Sequence, residues 1–90
     1  MRRRLIVHGR VHGVWYRGWT VDQAEELGLD GWVRNRRDGT VEILVSGPEA
    51  AIAELSARCR RGPSAAQVER VEELATDETP EKGFALRPTV

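Results

Sequence analysis

Residues 31–46 read GWVRNRRDGTVEILVS, two strand-like runs joined at Arg37, Asp38 and Gly39. An Asp-Gly pair between such runs is a strong local signal for a β-hairpin, because glycine takes the positive φ that a tight turn demands. The arms run from Gly31 to Arg36 and from Thr40 to Ser46. On the second arm Val41, Ile43 and Val45 share one face. On the first, alternation puts Val33 and Asn35 together, with Trp32, Arg34 and Arg36 on the opposite side. Asn35 is therefore expected to point where a core residue points, near the strand's end.

Outward from the hairpin, each side carries a helix and then a strand. Upstream, Val21, Ala24 and Leu27 recur at helical spacing between Arg17 and Leu27, Asp22 lies in an early turn, and Gly28 supplies the stop. Before that helix, alternation of Leu5, Val7 and Gly9 with Ile6, His8 and Arg10 predicts a strand from about Arg3 to Arg10. Downstream, Gly47-Pro48 opens a second helix with proline in the first turn, and Ile52, Leu55 and Cys59 form its buried stripe. Arg58, Arg60 and Arg61 close it before Gly62-Pro63. Val68, Val71 and Leu74 have helical spacing, yet their place between a Gly-Pro break and a polar loop suits a strand, which is the assignment made. Thr76 to Gly83 is a polar connection, and Phe84 and Leu86 before Pro88 form a short edge strand.

The order is an α+β, ferredoxin-like split βαβ pattern. Right-handed crossovers would put both helices on one face of an antiparallel sheet and leave the other face wet. With 90 residues and 10.1 kDa, the chain is expected to be a single domain over residues 1–90, without separate catalytic and cofactor domains.

Composition removes several function classes. Apolar residues make up 40% and charged residues 31%, which describes neither a disordered chain nor a membrane protein. No apolar run approaches the ~18 residues needed to span a bilayer. Arg2, Arg3 and Arg4 precede Leu5, Ile6 and Val7, but His8, Gly9 and Arg10 interrupt at once, so no secretory leader is expected and the cytoplasm is the expected location. The single cysteine, Cys59, fits a reducing compartment. Basic and acidic residues balance at 14 each, which argues against duplex binding. Their distribution is uneven: residues 1–40 hold eight arginines against five acids, making this the anion-attracting half.

The chemistry-bearing stretch is Gly9-Arg10-Val11-His12-Gly13-Val14-Trp15-Tyr16-Arg17, a glycine-bearing loop feeding a helix N-terminus. Outward-pointing backbone N–H groups and the helix dipole make such a junction an anion site, with phosphate the natural occupant. Arg17 adds a planar fork that can hold two phosphate oxygens. The alternative is a plain glycine turn with a surface arginine, since this is neither the P-loop nor the dinucleotide fingerprint.

Gly9-x-Val11-x-Gly13-Val14-x-x-Arg17, then Leu27-Gly28-Leu29-x-Gly31-Trp32-Val33-Arg34-Asn35 and Asp38-Gly39-x-Val41-Glu42, resembles the acylphosphatase family. Gly47-Pro48 and Phe84-x-Leu86-Arg87-Pro88 also fit, so the likeness covers nearly the whole chain. The resemblance implies a hydrolase, without metal or other cofactor, that cleaves small acyl phosphates to carboxylate and orthophosphate. It implies a phosphate-binding loop containing Gly9, His12, Gly13, Val14, Trp15, Tyr16 and Arg17, with Arg17 on the phosphoryl group and Asn35 holding the attacking water. Inorganic phosphate would be product and inhibitor, and a monomer without membrane or nucleic-acid partners is expected.

This sequence departs from the family pattern at His12, where glutamine is usual, and at Trp15, where a smaller or differently shaped residue is usual. His12 is expected to replace a neutral hydrogen bond of the loop and, if it titrates near neutrality, to make phosphate affinity pH-dependent. His8 is read as structural and Cys59 as an inert packed thiol. Two histidines and one cysteine at no ligand spacing make no zinc site. The alternative function is a non-catalytic phosphate-, anion- or RNA-binding module, for which Trp32 is the sole candidate for base stacking. A fragment like the N-terminal domain of carbamoyl-transferring maturation proteins is a further alternative, which the 90-residue length disfavours.

Overall fold

The hairpin forms around a turn at Arg37-Asp38, in the computed structural model, which describes all 90 residues. The Gly39 amide donates to the Arg36 carbonyl (3.0 Å), Arg36 N–H donates to the Thr40 carbonyl (2.9 Å), and Gly39 takes φ 94°. Asp38 Oδ1 accepts from the backbone N–H and the hydroxyl of Thr40, which locks the turn. The paired strands are β2 (Asp30–Asn35) and β3 (Val41–Ser46), with Asn35 opposite Val41.

Around them the chain runs β1 (Arg2–Arg10), α1 (Tyr16–Glu26), β2, β3, α2 (Glu49–Arg61), β4 (Gln67–Leu74) and β5 (Phe84–Leu86). The sheet order is β4-β1-β3-β2-β5. One face holds the core, where Leu5, Val7, Val33, Val41, Ile43 and Val45 meet Ala24, Ile52, Leu55 and Cys59 of the helices. Fully burying each large aliphatic side chain contributes ~1.5–3 kcal/mol, which makes this layer the main source of stability.

The α+β split βαβ architecture stands, with four corrections of detail. First, the sheet is mixed, because β5 pairs parallel with β2. The connection from β4 crosses to the opposite edge, tied down by Arg2 to the Asp77 carbonyl, Arg4 to Glu78 and the Gly83 amide to Asp30 Oδ1, and delivers β5 running the same way as β2. Second, the face opposite the helices is not simply wet: Ile6, Trp32 and Leu44 are buried there. The Arg34 and Arg87 guanidiniums lie 4.5 and 5.2 Å from the Trp32 ring, and Glu42, itself buried, pairs with Arg34 and Arg4. Arginine stems cover apolar surface while their charged heads stay in water. Third, Pro48 caps α2 from outside its first turn, in extended backbone, and its carbonyl accepts from Ile52 N–H. Fourth, the most buried side of α1 is Tyr16, Thr20 and Ala24, while Val21 and Leu27 are only partly covered. Thr20 is tolerated there because its hydroxyl donates to the Tyr16 carbonyl.

The segment after Gly62-Pro63 is a strand, and its helix-like spacing has a local cause. His8 pairs with Arg70 and Gly9 with Val68, so Glu69 is an extra residue bulged out of β4. A bulge breaks the period of two. Val68 and Val71, three apart, therefore both pack against the core.

Candidate active site

Just beyond this bulge the chain leaves the sheet. Gly9 sits at φ 132°, and a Cβ there would run into the Gln67 carbonyl and stand 2.8 Å from the Glu69 nitrogen, so β1 and β4 meet backbone to backbone. Val11 is buried, and His12 Nε2 donates to the Thr40 carbonyl (2.8 Å), tying the loop to the hairpin. Gly13 takes φ 72°, and Trp15, at φ 59° and ψ 32°, is the left-handed residue from which α1 springs. Tyr16 anchors the first turn through its hydroxyl, which donates to the Cys59 carbonyl (2.7 Å), and its ring packs against Trp19.

No protein acceptor takes the backbone N–H of any residue from His12 to Gly18. Helix N-termini are normally relieved by a side-chain cap, and α1 has none. A run of free amides ending on a positive helix dipole is suited to an oxyanion.

Two side chains join them. Arg17 forms no ion pair; its only protein partner is the Arg87 carbonyl, at 3.3 Å. Asn35, from the end of β2, has a carboxamide oxygen that is buried without a hydrogen-bond partner. Buried polar groups in folded proteins are nearly always paired, so this one is left over from the demands of folding. A half-turn about its last side-chain bond presents either oxygen or nitrogen to the same place. Val11, Gly13, Trp15, Tyr16, Arg17 and Asn35 together line a pocket of about 340 Å³.

The structure thus brings Gly13, Trp15, Tyr16 and Arg17 of the loop to Asn35. Gly9, His12 and Val14 do not line the pocket: Gly9 meets β4, His12 holds the hairpin, and Val14 packs against the core. Val11 lines it and was not singled out from sequence, although its place between Gly9 and Gly13 marked it. The tail was also missed. Arg87 N–H donates to the Val33 carbonyl, Val90 N–H to the Asn35 carbonyl and Arg37 N–H to the Val90 carbonyl, so residues 87–90 brace the strand end that carries Asn35. A neighbouring cleft holds Arg34, Arg36 and Arg37, but Glu42 and Asp38 already engage the first two. Burial pushes the Cys59 thiol up to about 12, which makes it a poor nucleophile, and raises the Tyr16 phenol as well.

The acylphosphatase family model matches residues 3–86, a span that includes the whole loop, Asn35 and, but for Arg2, all five strands. The chain belongs to the acylphosphatase family. An acylphosphatase of Rhizorhabdus wittichii is 52% identical over 88 residues, covering 98% of this chain and 89% of that one. Another, from Rhodospirillum rubrum, is 52% identical over the full length of both chains. The crystal structure of acylphosphatase from Bacillus subtilis superposes with a TM-score of 0.89 at 33% identity, covering 96% of this chain and 97% of that one.

Within an acylphosphatase framework, the arrangement has a definite chemical character. Its positive elements are a guanidinium and backbone dipoles, fixed in place before any anion arrives. Its remaining polar group, the Asn35 carboxamide, is neutral and so does not repel a phosphate. No group of three or more His, Cys, Asp or Glu side chains is placed to hold a metal ion. No helix is long and apolar enough to cross a membrane.

Proposed function

We propose that this chain hydrolyses small acyl phosphates to a carboxylate and orthophosphate, with Arg17 and the amides of the Gly13–Arg17 loop holding the phosphoryl group and Asn35 presenting the water. The observation that carries the reading is the juxtaposition of an unpaired guanidinium, uncapped amides and an unpartnered carboxamide around one pocket.

The chemistry follows from those groups. Water oxygen forms a bond to phosphorus while the bond from phosphorus to the acyl oxygen breaks, the acyl group departs as carboxylate, and the proton of the water passes to the phosphate and bulk solvent. In a loose transition state charge spreads over the equatorial phosphoryl oxygens, so positioning and electrostatics supply most of the acceleration. Each charge-assisted hydrogen bond from Arg17 or a loop amide is worth ~1.5–3 kcal/mol net. A carboxylate is a weak base and leaves without a general acid, which is why no acidic side chain is required in the pocket.

We also infer a monomer located in the cytoplasm, with inorganic phosphate as product and competitive inhibitor. One chain supplies every lining residue, and a buried thiol suits a reducing compartment. Base stacking on the sheet finds no support, since Trp32 is 3% exposed beneath its two arginines. The test is phosphate release from acetyl phosphate in the presence of a chelator. Turnover that survives chelation and disappears in Arg17→Ala is expected. A wild-type protein that is inert, or an Arg17→Ala protein that matches it, would overturn the reading.

A further inference from the structure

A phosphoryl group seated on the loop leaves the acyl end of the substrate outside the cradle, and the residues lining the pocket limit what that end can touch. Val11 and Tyr16 are each 1% exposed, Gly13 has no side chain, and Arg17 and Asn35 are polar. Trp15 alone offers an accessible apolar surface. At 67% exposure it is the most exposed of the protein's large hydrophobic side chains. Folding does not account for it, because so exposed a ring contributes little to the core.

Its placement is nevertheless enforced. Trp15 is the only residue other than glycine with a positive φ, a conformation that side-chain-bearing residues rarely adopt without a constraint. Its indole occupies the space that a side chain at residue 18 would fill: a Cβ on Gly18 would fall within the ring's van der Waals envelope, against Cε2, Nε1 and Cζ2. Glycine is a poor helix former, and in the first turn of α1 its missing Cβ is what lets the indole lie against the helix beside the pocket.

We propose that the Trp15 indole is the platform for the acyl group, so that this chain prefers acyl phosphates with flat aromatic or extended apolar acyl groups over small ones. The proposal rests on the hydrolase reading above. An aromatic contact of this kind is worth about three- to tenfold in affinity.

The experiment compares kcat/KM for benzoyl phosphate and acetyl phosphate in wild type, Trp15→Ala and Gly18→Ala, with the inhibition constant of inorganic phosphate measured for each. The benzoyl-to-acetyl ratio should fall about three- to tenfold in Trp15→Ala. It should fall also in Gly18→Ala, where the tryptophan remains but is displaced, and phosphate inhibition should move less than the ratio does. A ratio unchanged in Trp15→Ala overturns the proposal, as does a loss matched in full by weaker phosphate inhibition, which would assign Trp15 to the phosphoryl end. Acetyl phosphate separates the two levels: wild type active on both substrates with an unaltered ratio removes only the platform, whereas wild type inert toward both removes the hydrolase reading and the platform together.

Discussion

Asn35→Ala sets the chemistry of the pocket against the stability of the strand that carries it. The Asn35 carboxamide oxygen is buried without a partner, and such an orphaned acceptor costs ~1–3 kcal/mol. Alanine removes that penalty and gives up only the contacts of a carboxamide that lines the pocket, leaving a net gain of about 1 kcal/mol. In a chain of 90 residues this corresponds to a rise of about 4–8 °C in the thermal midpoint. The same substitution removes the group that aligns the water. Turnover should fall by more than about a hundredfold, or ~2.7 kcal/mol at 1.36 kcal/mol per factor of ten, while KM changes far less. Circular dichroism melts and phosphate-release kinetics on the same preparation read both effects. A variant that melts below wild type would mean that the carboxamide is part of the fold's own bonding. A kcat within about tenfold of wild type would remove its role in placing water.

Three further outcomes are expected. Arg17→Lys keeps the charge but loses the two-pronged geometry, so kcat/KM for acetyl phosphate should drop about 10–100-fold through both kcat and KM; steady-state kinetics decide this, and an unchanged KM would contradict a phosphate-binding role. Gly9→Ala forces a Cβ into the Gln67 carbonyl at φ 132° and should lower stability by more than about 2 kcal/mol in urea unfolding. Asp38 is exposed, and its carboxyl is held well below the usual carboxylate range by the hydrogen bond from Arg36 and then by the Thr40 hydroxyl and N–H. A group depressed in the folded state contributes stability above its unfolded value of ~3.9 and loses it as pH falls through that value toward the folded one. Asp38→Asn should therefore melt below wild type at neutral pH, and the gap should close as the pH drops below about 4.

The hairpin, both helices and the loop-to-helix junction were legible because local chemistry specifies them: Asp38-Gly39 dictates the turn, Ile52, Leu55 and Cys59 mark a face, and Gly28 stops a helix. Asn35's inward direction followed from alternation with Val33. What sequence could not show depends on partners distant in the chain. Val68 and Val71 mimic helical spacing because Glu69 is bulged opposite β1, and no local pattern announces a bulge imposed by a neighbouring strand. The face opposite the helices is expected to be wet, and the burial of Trp32 there depends on guanidiniums arriving from Arg34 and Arg87. The parallel pairing of β5 was hidden for the same reason, since three residues, Phe84–Leu86, carry no sign of which edge they will join. Among the site residues, His12 turned out to hold the hairpin through Thr40 rather than to line the pocket.

The bracing of Arg17 and Asn35 by residues 87–90 bears on when the centre comes into being. A growing chain that has reached residue 80 already contains the guanidinium, the carboxamide and the looped amides, but not the Arg87 carbonyl that Arg17 binds or the Val90 amide that holds the Asn35 carbonyl. Those groups leave the ribosome after everything they support. Competence thus waits on residues 87–90, and a nascent polypeptide that has not reached them carries the parts of a hydrolase without their alignment.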